Sequence, residues 1–153
     1  MMIYRLHDKI LLKTTIDQAW DFFSDPHNLN EITPKDLSFE ILWGADRKMY
    51  PGQIITYKVS PFPFYKSTWV TEITHVKEKE MFVDEQRFGP YSFWHHQHLF
   101  KETENGVLAE DIVHYKIPLG ILGDIANALI VKKRLRQIFD FRHQKLMEIF
   151  NKC

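Results

Sequence analysis

Residues 92–116 read SFWHHQHLFKETENGVLAEDIVHYK, two runs of strand-forming residues on either side of Asn105-Gly106. Asn-Gly between alternating segments is a strong hairpin signal, because both residues tolerate the left-handed backbone of a tight turn. Alternation sorts the first run into two faces. Trp94, His96, His98 and Phe100 share one, and Phe93, His95, Gln97 and Leu99 share the other. A two-residue turn at Asn105-Gly106 pairs Glu104 with Val107, which sets Phe100 opposite Asp111, His98 opposite Val113 and His96 opposite Tyr115. Ala109, Asp111, Val113 and Tyr115 then continue the face that carries Trp94, with Asp111 diagonal to His98. This combined face is expected to be the concave one.

Outward from the hairpin, residues 37–43, 52–59, 67–76 and 80–88 alternate as further strands, and residues 3–12 as a first one. The prolines of Pro61-Phe62-Pro63-Phe64 cannot donate to a ladder, so that stretch is expected to be a loop. After the first strand, Thr14 or Thr15 caps a short helix, with Asp17 and Gln18 at capping-box spacing and Ile16, Ala19, Trp20, Phe22 and Phe23 as its apolar residues. Asp25-Pro26 opens a second helix, which Pro34 stops near Ile32. Pro118 and Gly120 end the strands. Residues 121–150 then carry apolar side chains, and one arginine, Arg142, at the three-to-four spacing of a long amphipathic helix. The expected class is α+β: a curved antiparallel sheet of about seven strands, two short helices after strand one, and one long C-terminal helix. A twisted sheet covered but not filled by one helix encloses a natural apolar cavity.

A chain of 153 residues suits a single domain spanning 1–153. It is 14% aromatic, with twelve phenylalanines, enough to build a bulky core or to line a pocket. Twenty basic and twenty acidic residues cancel, so no global field draws it to nucleic acid, and no phosphate-cradling glycine loop is present. The only cysteine, Cys153, allows no intramolecular disulfide. With no charged-then-apolar leader and no run of eighteen apolar residues, the expected location is the cytoplasm, with no membrane span.

The element order, together with residues 16–29, the motif Gly89-Pro90 followed by Trp94, His96, His98 and Phe100, the segment Tyr115-Lys116-Ile117-Pro118-Leu119-Gly120, and Phe141-Arg142-His143, resembles the helix-grip fold of the START/SRPBCC superfamily. That superfamily includes birch-pollen-allergen-like and polyketide-cyclase-like proteins, and the likeness is to its ligand-binding SRPBCC subgroup. The resemblance implies binding of a hydrophobic small molecule or lipid in the cavity, with enzymatic activity in some branches only.

Three readings of the histidine strand compete. His96, His98, Asp111 and Tyr115 can satisfy one another as a buried polar network. They can form the polar end of a ligand pocket. A His–Asp pair can also move protons near neutral pH, which makes His96, His98 and Asp111 the alternative catalytic set. His96 and His98 have a metal-ligand spacing, but Asp111 is the only evident third donor and His95 points away, so neither metal nor organic cofactor is expected. The expected pocket has apolar walls from Trp69, Phe82, Trp94, Phe100, Leu122, Ile125 and Leu129, and polar anchors from His96, His98, Asp111 and Tyr115. The leading expectation is a non-enzymatic binder of a hydrophobic or amphipathic small molecule; a cyclase, dehydratase or hydrolase acting on a similar ligand is the alternative. Residues 119–131 are apolar nearly all round and are followed by Lys132-Lys133-Arg134-Leu135-Arg136. Either deep burial, a homodimer contact or a weak peripheral membrane contact through 119–136 fits that pattern.

Overall fold

The computed structural model describes residues 2–152; Cys153 lies outside them. Strand β1 (Tyr4–Leu12) leads into helix α1 (Ile16–Phe23), followed by short 3₁₀ turns at Pro26–Asn30 and Lys35–Leu37. Strands β2 (Glu40–Trp43), β3 (Gln53–Phe62), β4 (Tyr65–Lys77), β5 (Met81–Phe88), β6 (Phe93–Thr103) and β7 (Gly106–Lys116) follow, then helices α2 (Gly120–Ala126) and α3 (Lys132–Phe150), joined without a break by a π-helical turn at Asn127–Val131. Among the described residues the seven strands form one antiparallel sheet in the order β1-β7-β6-β5-β4-β3-β2. The architecture is the curved sheet with a long C-terminal helix expected from the sequence. No helix among the described residues is long and apolar enough to cross a membrane.

Local chemistry accounts for the element ends. Thr15 caps α1 by accepting from the Gln18 backbone N–H at 3.3 Å, and Asp25 accepts from the His27 N–H at 3.0 Å at the start of the next turn. That second helix proves to be a 3₁₀ turn ending at Asn30, shorter than expected. The Pro61–Phe64 stretch is also not wholly a loop. Strand β3 continues through Phe62 and only Pro63 and Phe64 turn the chain. Pro61 is tolerated because β2 reaches no further than Lys58 on one side, and the register with β4 is broken between Val59 and Phe62 on the other.

The hairpin at the centre of the sequence reading forms in a register two residues away from the expected one. Thr103 pairs with Gly106, so Glu104 and Asn105 are the loop residues and Gly106 is the first residue of β7. Gly106 has φ +129°, and a Cβ there would lie 2.1 Å from the Leu12 carbonyl oxygen, so the glycine is needed where β1 crowds the hairpin end. A shift of two preserves both faces but changes every partner. His98 stands directly opposite Asp111, His96 opposite Val113 and Trp94 opposite Tyr115.

Buried apolar residues gather in three clusters: one around Trp20, Phe82 and Phe100 under α1, one around Trp94, Tyr115 and Phe139 under the C-terminal helix, and one around Ile55, Tyr57 and Ile73 on β3 and β4. The space between them is where the site lies.

Candidate functional site

A cavity of about 180 Å³, partly open to the surface, lies between the concave face of the sheet and α3. Its sheet wall is aromatic: Tyr57 from β3, Trp69 from β4, Phe82 from β5 and Trp94 from β6. Trp69 and Trp94 meet edge to face with centroids 5.1 Å apart, an arrangement favoured by the ring quadrupoles. Leu135, Ile138 and Phe139 of α3 face them, and Phe23 and Leu29 complete the wall beside α1.

One corner of this apolar chamber is polar. Asp84, His96, His98 and Arg142 reach the cavity from β5, β6 and α3. Alternation along β6 turns His96 and His98 inward, and the β5–β6 register sets Asp84 directly opposite His96. His98 Nε2 lies 2.6 Å from Asp84 Oδ2, and His96 Nε2 lies 2.7 Å from Asp111 Oδ1. The two imidazole centroids are 3.7 Å apart. The Arg142 guanidinium stands 3.6 Å from Asp111 and stacks over the Phe139 ring at 4.8 Å, while its Nε, buried, has no hydrogen-bond partner. His95 faces the other side of the sheet and contacts Glu85 at 2.6 Å.

Burial penalises charge, and it pulls the His96 pKa down; a charge on His98 acts in the same direction, and the two carboxylates only partly offset them. For His98 burial also pulls down, but hydrogen bonds to Asp111 and Asp84 outweigh it and the pKa rises above its ordinary value. Burial pushes the Asp111 carboxyl up, yet hydrogen bonds from His96 and His98 hold it well below the usual range. Asp84 is lowered too, its burial outweighed by the charge on His96 and the hydrogen bond from His98. The two histidines are thus shifted in opposite directions, which makes His98 the more basic of the pair, while both carboxyls are held more acidic than usual.

Of the residues expected to form the pocket, Trp69, Phe82, Trp94, His96 and His98 line the cavity. The others stand elsewhere. Phe100 packs in the neighbouring core, 5.8 Å from Trp20 and 5.0 Å from Phe23. Asp111 is not at the cavity surface and holds the histidines from behind. The Tyr115 hydroxyl donates to Asn127 Oδ1 at 2.9 Å instead of meeting His96. Leu122, Ile125 and Leu129 are 69%, 52% and 71% exposed and do not line this cavity; Leu129 instead borders a separate surface groove with Phe62, Pro63 and Arg134. They miss the cavity because the helix face turned to the sheet runs through Gly123, Asn127, Val131, Leu135, Phe139, Arg142 and Leu146. Alternation puts Asp84 on the same face as Phe82, but the sequence alone left open whether Asp84 lay on the solvent side, and it was not among the expected site residues. Sequence reasoning also left Arg142 without a role, although an arginine within an apolar stripe was the signal.

No family model matches the chain, and no curated protein matches it. Solved structures do. The major latex-like protein 151 of Panax ginseng superposes with a TM-score of 0.71 at 11% identity, covering 98% of this chain and 99% of that one. A point mutant of norcoclaurine synthase from Thalictrum, in complex with a transition-state analogue, gives 0.66 at 14% identity with 96% of each chain covered. The KanY protein gives 0.73 at 12% identity, covering 99% of this chain and 100% of that one. At these identities the likeness is one of fold. The chain has the helix-grip fold of birch-pollen-allergen-like proteins, the fold that the SRPBCC resemblance implied.

Proposed function

We propose that the protein binds a compact hydrophobic or amphipathic small molecule in the cavity between the sheet and α3. The observation that carries this reading is a chamber with aromatic walls and a polar corner where Asp84, His96, His98 and Arg142 converge. Apolar surface supplies affinity there, and a few convergent polar groups fix orientation. At about 180 Å³ the chamber suits a small ring system better than a long acyl chain. The ligand's polar end would meet Asp84, His96, His98 and Arg142, and its apolar body Trp69, Phe82, Trp94 and Phe139. Native mass spectrometry of gently purified protein, and titration with the amphipathic probe 8-anilinonaphthalene-1-sulfonate, test it. Thr71→Trp, which fills the chamber, is expected to weaken probe binding at least tenfold; unchanged binding in that variant would sink the reading.

A second reading draws on the opposite pKa shifts of His96 and His98, since a pair of groups pushed apart in pKa supplies an acid and a base. In that case His98 donates a proton to a bound substrate and His96 accepts one, each positioned by Asp111. Turnover with a pH profile lost in both His96→Ala and His98→Ala distinguishes an enzyme from a carrier. The cytoplasm is the proposed working compartment. The exposed apolar face of residues 119–130, bordered by Lys132 and Lys133, suits weak contact with an anionic lipid surface.

A further inference from the structure

Four nitrogen–oxygen contacts tie the two inward histidines to two carboxylates. His96 Nε2 and His98 Nδ1 lie 2.7 Å and 3.1 Å from Asp111 Oδ1, while His98 Nε2 and His96 Nδ1 lie 2.6 Å and 3.5 Å from Asp84 Oδ2. Each contact opposes a ring nitrogen to a carboxylate oxygen, which is attractive only with a proton or a cation between them. Two neutral imidazoles bring two N–H groups to four such contacts. Protonating one ring raises the count to three and still leaves a lone pair against a carboxylate in a buried corner, where an unmatched polar contact is costly. With both rings neutral, charge falls short as well: Asp84 and Asp111 bring two negative charges, and Arg142 answers with one positive charge.

We propose that Asp84, His96 and His98 form a binding site for a first-row divalent transition-metal ion. Asp84 Oδ2, His96 Nδ1 and His98 Nε2 converge on one corner facing the cavity, and candidate ligand atoms of these three residues lie within 4.8 Å of one another. Ligands about 2.1 Å from an ion at octahedral or tetrahedral angles sit about 3.0–3.4 Å apart. The 2.6 Å contact must therefore open slightly and the 3.5 Å contact close, and the two histidine nitrogens, within 4.8 Å of each other, must come to the same spacing, so ion binding requires side-chain rotation at the corner. Asp111 faces the other nitrogen of each ring. With an ion at the Asp84 corner, both imidazoles stay neutral, both lone pairs go to the ion, and both N–H groups go to Asp111. All four contacts are then satisfied. An outer carboxylate that fixes the tautomer and orientation of ligating histidines is a recurrent feature of metal sites. Two histidines and one carboxylate on one side of the ion leave its remaining positions open to the cavity. The sequence pointed away from a metal because Asp111 was the only evident third donor. Asp84 supplies the missing ligand, and Asp111 becomes its support.

The test uses the full chain stripped with chelator and free of organic ligand, titrated with Co²⁺ and Zn²⁺ by calorimetry, with Co²⁺ absorption as a spectroscopic readout. One equivalent is expected to bind. His96→Ala, His98→Ala and Asp84→Asn each lose at least a hundredfold in affinity, and Asp111→Asn loses about 10–100-fold while keeping the one-to-one stoichiometry. In the wild type, Zn²⁺ shifts the ring resonances of His96 and His98 and leaves those of His95 in place, a readout that needs no variant to fold. Absence of binding by the wild type overturns the proposal, as does binding that leaves the His96 and His98 resonances unmoved. Neither result bears on the small-molecule reading, because no organic ligand is present.

Discussion

The two ends of the C-terminal helix reverse the usual relation between hydropathy and burial. Residues 119–131 (LGILGDIANALIV) are among the most apolar in the chain, yet Leu119, Ile121, Leu122, Ile125, Leu129 and Ile130 are exposed. Residues 132–150 are rich in charged and amide side chains, yet they bury Leu135, Phe139, Arg142 and Leu146 and form one side of the cavity. The first segment is inverted, with its polar and small residues turned inward. Tyr4 donates its hydroxyl to Asp124 Oδ1 at 2.8 Å, Tyr115 donates to Asn127 Oδ1 at 2.9 Å, and Gly123 and Asn127 are buried. Thus the start of the helix is tethered by hydrogen bonds to tyrosines of β1 and β7, and the second half is held by packing. How apolar a helical segment is sets how much it gains from being covered. Which face is covered depends on where its neighbours stand.

The largest effect should come from the packed half. Phe139→Ala removes a ring that touches both His96 and Arg142, and chemical denaturation should show a loss of about 3–5 kcal/mol. A loss under about 1 kcal/mol would mean that packing does not hold this half. The polar corner beneath it gives a pH test. Asp111 has a folded pKa well below its ordinary 3.8, so its contribution is present above that value and is lost as pH falls through the lower folded value. Stability of the wild type should therefore decline in acid below about pH 4 more steeply than that of Asp111→Asn; parallel acid titrations would show that the carboxylate is not held as described.

The tethered half should respond less. Tyr115→Phe deletes one hydroxyl and leaves buried Asn127 without its donor, for an expected cost of about 1–3 kcal/mol. Hydrogen exchange should accelerate in residues 120–131 before it does in α3. Smallest of all, Leu122→Ser and Leu129→Ser should each change stability by less than about 0.5 kcal/mol, while reducing co-sedimentation with vesicles containing anionic phosphatidylglycerol. A large destabilisation from either serine variant would show that these side chains are covered in solution, and the contrast between the two halves would collapse.

Much of the fold could be read from residues in order along the chain. Thr15 and Asp25 marked their caps, and alternation on β6 separated His95 from His96 and His98, because these signals depend only on near neighbours. The register of β6 on β7 could not be read this way. Asn105-Gly106 resembles a two-residue turn, but the Leu12 carbonyl of a strand about 90 residues earlier fixes Gly106 as the first residue of β7. That two-residue difference moved Tyr115 away from His96 and set Asp111 opposite His98. Likewise, periodicity showed that residues 121–150 form a helix, but not which of its apolar residues would meet the sheet.

By itself, then, the sequence determined the strand and helix order, the inward face of β6 and the aromatic character of the chamber, since periodicity and side-chain chemistry are local properties. Tertiary structure decided the company that face keeps. It placed Asp84 against His98, Arg142 beside Asp111, Asn127 under Tyr115 and Leu122 in solvent. Contacts between residues distant in sequence depend on strand register and on the rotation of a helix about its axis. A shift of a few ångströms in either changes which side chains meet, and no local pattern encodes it.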